Sequence, residues 1–307
     1  MLEEIVLKTN ALVKRYGRFT ALDHVSVEIK KGHIYGFIGQ NGAGKSTFMK
    51  AVAGLLVPEE GEISLFGKKG EKAIEEARKK LGVMIEQPAL FPNYSVRQNV
   101  ELKRILSGNP DQEATDKVLA LVDLTDVDSK KAKKLSMGMK QRLGIAMALV
   151  GNPRLLILDE PVNGLDPENI IALRKLLKTL SEEKDITIFI SSHILSELYL
   201  LATDYIIIHK GRIIETISHE KLEEKCKKYI CIKTDRVAET IPLLDTLMSN
   251  DEYKVVSDDT VRVFREASEA EQISQLLSKN GIVLRELSFK EQSLEEYFMS
   301  VIGGVKQ

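Results

Sequence analysis

Apolar residues come in short runs through residues 1–220, each run closed off by polar or turn residues. The runs 34–38, 81–85, 155–158 and 187–190 are nearly continuous. That is the pattern of strands buried on both faces in a parallel sheet. Residues 1–9 instead alternate aliphatics with polar residues and read as a strand of a different kind. Between the runs the spacing turns helical. Ile170, Leu173, Leu176, Leu177 and Leu180 recur every three or four positions behind Asp166-Pro167, a helix start with proline at the first helical position. Strands alternating with helices predict an α/β layer fold. Residues 89–150 carry no convincing strand and read as an inserted all-helical subdomain.

Past residue 220 the texture changes. Residues 221–228 mix Lys and Glu densely. A strand at 229–233, a helix at 238–248, strands at 254–256 and 261–264, and a helix at 269–279 follow. Asn280-Gly281 ends that helix with a pair tolerant of left-handed backbone. A strand at 282–287 and an amphipathic helix at 293–301 come last, and Gly303-Gly304 opens a loose tail. The order β-α-β-β-α-β predicts a small ferredoxin-like α+β domain over 221–307.

Length agrees with this division: 307 residues correspond to about two domains. With 43% hydrophobic and 29% charged residues the chain is neither disordered nor fibrous. Forty-four basic residues against 45 acidic ones leave a net charge of −1, so no basic field exists to hold nucleic acid non-specifically. Cys226 and Cys231 are the two cysteines, too few for a disulfide framework, and a reducing cytosol suits them. No His or Cys partners them at metal-binding spacing, so both are expected to be ordinary buried thiols. No uncharged apolar stretch of about 18 residues occurs to span a bilayer. The first residues lack the basic flank and long apolar core of a signal peptide. A role at a membrane is therefore expected to come through a partner.

The strongest chemical signal is Gly39-Gln-Asn-Gly-Ala-Gly-Lys45-Ser46-Thr47, which fits G-x-x-x-x-G-K-[ST] between the predicted strand at 34–38 and a predicted helix at 48–56. Glycines let backbone N–H groups of Asn41, Gly42, Ala43 and Gly44 turn inward on phosphate oxygens, and the helix N-terminus adds partial positive charge. Lys45 reaches the β- and γ-phosphates, and Ser46 offers Mg²⁺ a hydroxyl. Downstream, Leu155-Leu-Ile-Leu-Asp159-Glu160 ends a buried strand in two carboxylates. Asp159 is expected to hold Mg²⁺. Glu160, on the other side of the strand alternation, is expected to polarise the attacking water.

With these two motifs in place, the chain resembles the ATP-binding subunit of an ABC transporter. Tyr16 stands where the family has an aromatic that stacks on adenine, and Gln87 where it has the glutamine of the Q-loop. Leu135-Ser136-Met137-Gly138-Met139-Lys140-Gln141-Arg142 occupies the place of the signature. Pro161-Val-Asn-Gly-Leu-Asp166 resembles the D-loop, and His193 stands at the switch histidine. The resemblance covers about residues 5–220. It implies a P-loop NTPase cassette, ATP and Mg²⁺ as ligands, and Glu160, His193, Gln87 and Lys45 as catalytic residues. Ser46, Gln87 and Asp159 are implied at the metal. Tyr16, Gly39, Asn41 to Thr47, Ser136, Gly138 and Asp166 are implied at the nucleotide.

The signature departs from the common Leu-Ser-Gly-Gly-Gln at Met137 and Met139. Ser136 and Gly138 remain, and Ser136 is in addition a good N-cap for the helix that follows. This form resembles exporters of the bacitracin-resistance and lantibiotic-immunity type. The resemblance further implies two copies of the chain, each closing its signature over the other's ATP, and a separately encoded permease. Nucleic acid is not expected as a partner. Attachment to the inner face of the bacterial membrane is expected only through the permease. Phe91 and Tyr94, aromatics in a predicted loop, are candidates for that contact or for packing inside the helical subdomain. Lys130, Lys131, Lys133 and Lys134 read as a solvated face or a surface for anionic lipid. The 221–307 domain is expected to serve regulation or dimerisation. The alternative function is a non-transport ATPase of the same type, in DNA repair or translation, but the chain lacks long heptads and a second cassette.

Overall fold

The computed structural model describes residues 4–226, 228–291 and 294–304. The chain forms two compact units, with His219 closing the first and Glu220 opening the second.

The first unit begins with a long antiparallel ribbon, β1 (Ile5–Tyr16) and β2 (Phe19–Lys30), turned at Gly17-Arg18. Then come β3 (Ile34–Ile38), α1 (Lys45–Ala53), β4 (Glu60–Leu65), α2 (Glu71–Arg78) and β5 (Leu81–Met84). The helical insertion holds α3 (Val96–Leu106), α4 (Ala114–Leu121) and α5 (Met137–Leu149). After it lie β6 (Leu155–Asp159), α6 (Pro167–Glu182), β7 (Thr187–Ser191), α7 (Leu195–Tyr199), β8 (Asp204–His209) and β9 (Arg212–Ser218). Among the described residues β2-β1-β4 make an antiparallel sheet, and β5-β6-β7-β3-β8-β9 a sheet that is parallel except at β9.

Three of the four continuous apolar runs are central strands: every residue of β3, β6 and β7 is buried. The run 81–85 forms the edge strand β5, which alternates buried with half-buried residues because, among the described residues, it has a neighbour on one side alone. Phe48 of α1 packs on Phe37 of β3 and Phe189 of β7, with ring centroids 5.1–5.9 Å apart across the trio. Burying each ring stabilises the core by roughly 1.5–3 kcal/mol. Leu7, Leu12 and Val25 of the ribbon join the same apolar cluster, so the two sheets share one core. In the insertion, α3 opens on a capping box between Ser95 and Gln98. A bridge from Ser95 to Lys131 ties its start to the segment before α5.

The expected helix at 48–56 starts and stops three residues earlier. Gly44 (φ 110°) and Gly54 (φ 79°) adopt left-handed caps at its two ends. The strand expected at 1–9 runs on to Tyr16, with the left-handed Ala11 (φ 47°) at an irregularity in its pairing.

After α8 (His219–Lys225), the second unit contains β10 (Lys228–Lys233), α9 (Val237–Leu244), β11 (Tyr253–Ser257), β12 (Thr260–Val263), α10 (Ala270–Lys279), β13 (Glu286–Glu291) and α11 (Leu294–Gly304). The strands are antiparallel in the order β11-β12-β10-β13, the arrangement of a split βαβ unit. Ile230, Ile232, Val261 and Val263 pack with Leu244, Ile273 and Leu277 in its core. The last strand starts at Glu286 rather than 282. Gly281 (φ 73°) turns the chain, and Ile282 reaches the core from an irregular segment. Gly303 and Gly304 end α11 instead of opening a tail, while Ser293 and 305–307 lie outside the described residues. Cys226 and Cys231 are both buried and are not joined in a disulfide.

Candidate active site

In the central sheet β6, β7 and β3 are parallel neighbours, so the loops at their carboxyl ends emerge side by side. That edge is where open α/β sheets place ligands. After β3 the glycine loop runs tightly against its surroundings. A Cβ on Gly39 would lie 2.7 Å from Ile208 O, and one on Gly44 2.5 Å from Ala21 O, so neither position tolerates a side chain. No side chain caps α1, which leaves its first-turn N–H groups directed at the loop. Lys45 is buried. Its Nζ donates to Gly39 O at 2.6 Å and stands 3.5 Å from Glu160 Oε1.

β6 and β7 supply the carboxylates and their supports. Asp159 is 1% exposed, and its Oδ1 accepts from Ser191 Oγ at 2.5 Å. The N–H of Glu160 donates back to Ser191 Oγ at 2.9 Å. Strand alternation does not separate the two acids, contrary to expectation. β6 stops at Asp159, and Glu160 turns away through a left-handed backbone (φ 52°), a strained state that costs of order 1–3 kcal/mol. His193 follows β7, and its Nδ1 lies 2.6 Å from Glu160 Oε2. An N–H on Nδ1 would serve the Glu160 carboxylate directly.

A cavity of about 410 Å³ gathers Tyr16, Asn41, Gly42, Gly44, Lys45, Ser46, Thr47, Glu160 and His193, nine of the residues read from the sequence. Gly39, Ala43 and Asp159 are buried and do not line it. Gln87 is exposed and is not part of the wall. It follows β5, which β6 and β7 separate from β3. Ser136, Gly138 and Asp166 also lie outside the cavity. Ser136 caps α5, accepting from Met139 N at 3.3 Å. Asp166 caps α6, and the Asn169 N–H it accepts holds its carboxyl below the usual range.

Phe19, Gln40 and Asn163 line the cavity without having been singled out. Phe19 was legible in principle. It sits directly across the ribbon from Tyr16, on the far side of a two-residue turn. Both rings are half exposed, Tyr16 at 52% and Phe19 at 58%. Phe91 and Tyr94 also stand at the surface, stacked at 5.3 Å, and do not fill the helical core. The four lysines at 130–134 are exposed, with Lys133 bonded to the Asn93 side chain.

A family model described as ABC transporter matches residues 22–163. The bacitracin transport ATP-binding protein BcrA of Bacillus licheniformis is 39% identical over 97% of this chain and 98% of its own length. The chain belongs to the ABC transporter ATP-binding family. The lantibiotic transport ATP-binding protein SrtF of Streptococcus pyogenes is 41% identical over 75% of this chain and all of its own. Among solved structures, the dimeric post-hydrolysis state of the cassette MJ0796 bound to ADP and Pi aligns with a TM-score of 0.63. It is 26% identical and covers 69% of this chain and 98% of that one. The family makes this chain an ATPase, with its cassette in the first unit. Its relatives are transport proteins, which disfavours the non-transport alternative.

Proposed function

We propose that this ATPase works as a pair of identical chains on the cytoplasmic face of the membrane, driving a separate permease that exports a peptide antibiotic or related drug. The observation that carries the reading is a division of parts. Lys45, Glu160 and His193 converge on one cavity, while Ser136 and Gly138 stand outside it at the N-terminus of another helix. A site whose anion-binding helix end lies elsewhere on its own chain is completed by a second copy. A dimeric relative bound to ADP and Pi supports this.

The loop amides and Lys45 bind the phosphates, and Tyr16 with Phe19 receives the base. Ser46 on the wall and Asp159 behind it are hard oxygen donors, the kind that suit Mg²⁺. When bound, that ion supplies charge neutralisation along the β- and γ-phosphates. Glu160 accepts the proton of the attacking water. His193 leaves Glu160 to meet the γ-phosphate. The partner's Ser136 hydroxyl and α5 N-terminus stabilise the leaving charge. Gln87 contributes only after a rearrangement that brings it from β5 to the cavity.

Among the described residues no helix is long and apolar enough to cross a membrane, so attachment runs through the permease. The exposed Phe91–Tyr94 stack supplies a contact for it. The second unit supports or regulates the pair. Bacitracin and lantibiotic relatives support a peptide cargo. The test is co-purification with the membrane protein encoded beside it, followed by ATP-driven peptide accumulation in inverted vesicles. ATP turnover without accumulation of any such peptide would sink the cargo assignment, and failure to co-purify would sink the pairing.

A further inference from the structure

The loop 161–166 touches two places at once. At one end Glu160 and Asn163 line the protomer's own nucleotide cavity. At the other the loop is fastened to the N-terminal part of α5, which Ser136 caps. Gln141 of α5, 3% exposed, donates from Nε2 to Pro161 O at 3.0 Å, while its buried Oε1 has no partner among the described residues. Gly138 packs so closely on α6 that a Cβ there would lie 2.5 Å from Asn169 Cγ. Asn169 in turn donates to Asp166 Oδ1 from both its backbone N–H (2.9 Å) and its Nδ2 (2.8 Å). Met137 closes the gap between: its Cε would lie 3.6 Å from a Cβ on Gly164, so the thioether end reaches over a bare backbone.

Met137 is also one of the two departures of this signature from the common form. With glycine there, no other group would come within 4 Å of the place a Gly164 Cβ would take. Met137 is 43% exposed, so the fold does not need it for core packing. A flexible, polarisable side chain laid across a glycine is suited to following a loop that moves. Gln141 makes the second fastening, and a carbonyl oxygen without a partner is ready to take an N–H when that loop shifts.

We infer that Met137 and Gln141 are positioning residues. They keep the loop 161–166 in register with the signature turn as it moves, so that the loop links the ATP a protomer binds to the turn it lends to its partner. Occupancy of one site is thereby felt at the other. The inference rests on the two-copy reading above.

The test is the steady-state ATPase of the full chain against ATP concentration, for wild type, Met137→Ala and Met137→Leu. Alanine keeps the helix start and removes the reach to Gly164, whereas leucine keeps most of the bulk. Wild type is expected to show a Hill coefficient between 1 and about 2, the number of sites. Met137→Ala is expected to bring it to about 1 while nucleotide affinity of the separate chain, read by titration with ADP, stays unchanged. Met137→Leu is expected to restore cooperativity. An unchanged Hill coefficient in Met137→Ala, or no rescue by leucine, overturns the link. A wild-type rate per chain independent of protein concentration, with no cooperativity, overturns the two-copy reading itself and the link with it. Gln141→Leu, which removes the donor to Pro161, is expected to behave like Met137→Ala, and wild-type cooperativity in it would strike Gln141 from the link.

Discussion

His193 Nδ1 stands 2.6 Å from Glu160 Oε2, and the backbone N–H of His193 donates to the same oxygen at 3.1 Å. One carboxylate oxygen is thus held from two directions by a single residue, while Oε1 faces Lys45 Nζ at 3.5 Å. The Glu160 backbone is fixed as well, its N–H bonded to Ser191 Oγ. A base pinned at backbone and side chain has one direction left along which to take a proton, which is what positioned general-base catalysis needs.

Glu160→Gln keeps the size of the side chain and an oxygen to accept from His193, but the amide takes no proton. Turnover is expected to fall by about 10²- to 10⁴-fold, the usual worth of a general base. ATP binding is expected to survive, and the pair of chains to persist in ATP on a sizing column with light scattering. Phosphate release at the wild-type rate would remove Glu160 from the base role.

The central strands and the phosphate loop were readable because a strand buried on both faces needs an unbroken apolar run. β3, β6 and β7 match their runs to within one residue. β2, β4 and β9 carry no such run. They are half exposed, and without an unbroken apolar run their residues stand out less from loop until the partner strand is known. In the site, the residues on the cradle were legible from spacing. The divergence of Asp159 from Glu160 was legible too, but its cause was not. It comes from a left-handed backbone at Glu160, and the hydrogen bonds that hold it there come from Ser191, far away in sequence. Phe19 lay within reach of the sequence, because the two-residue turn at Gly17-Arg18 pairs it with Tyr16 only three residues away.

Lys45 carries the only cationic side chain on the cavity wall among the described residues. Its removal takes away a charge-assisted contact to phosphate and leaves Glu160 facing the incoming anion without its neighbour. Lys45→Ala is expected to weaken ATP binding by roughly 10- to 100-fold, the worth of a hydrogen bond to a charged group. Calorimetric titration measures this directly, and wild-type affinity would count against the cradle.

Acid should loosen the helical insertion before it reaches the core. Hydrogen bonds from Arg104, then from Thr115, hold the Glu101 carboxyl down to about 2 against an ordinary 4.5. A depressed carboxylate contributes stability that is complete above its unfolded value and lost as pH falls toward its folded one. The window is therefore pH 4.5 down to about 2. The side chain is 38% exposed, so solvent screening keeps the effect small. Glu101→Gln is expected to lower Tm by about 2 °C at pH 7, and the gap to wild type to close below pH 4.5. A gap that stays constant with pH would assign the loss to packing instead of charge.

Tyr16 and Phe19 are paired across the turn of the ribbon, and both line the cavity together with the phosphate loop. Lys14 Nζ lies 5.6 Å from the Tyr16 ring centroid, which helps to hold that ring in place. Neither ring is buried by the protein, so neither contributes much to the fold, and a change at either reads out on ligand rather than stability. Stacking on a base is worth about 1–3 kcal/mol, or about 5- to 150-fold in Kd. Tyr16→Ala and Phe19→Ala are each expected to weaken ATP and ADP by a factor in that range. Tripolyphosphate has the same charges without the base, and its affinity is expected to stay unchanged in both variants. Equal losses for ATP and tripolyphosphate would mean that the hairpin supports the phosphate loop and does not hold the base. A loss confined to Tyr16→Ala would mean that Phe19 borders the cavity without touching its contents.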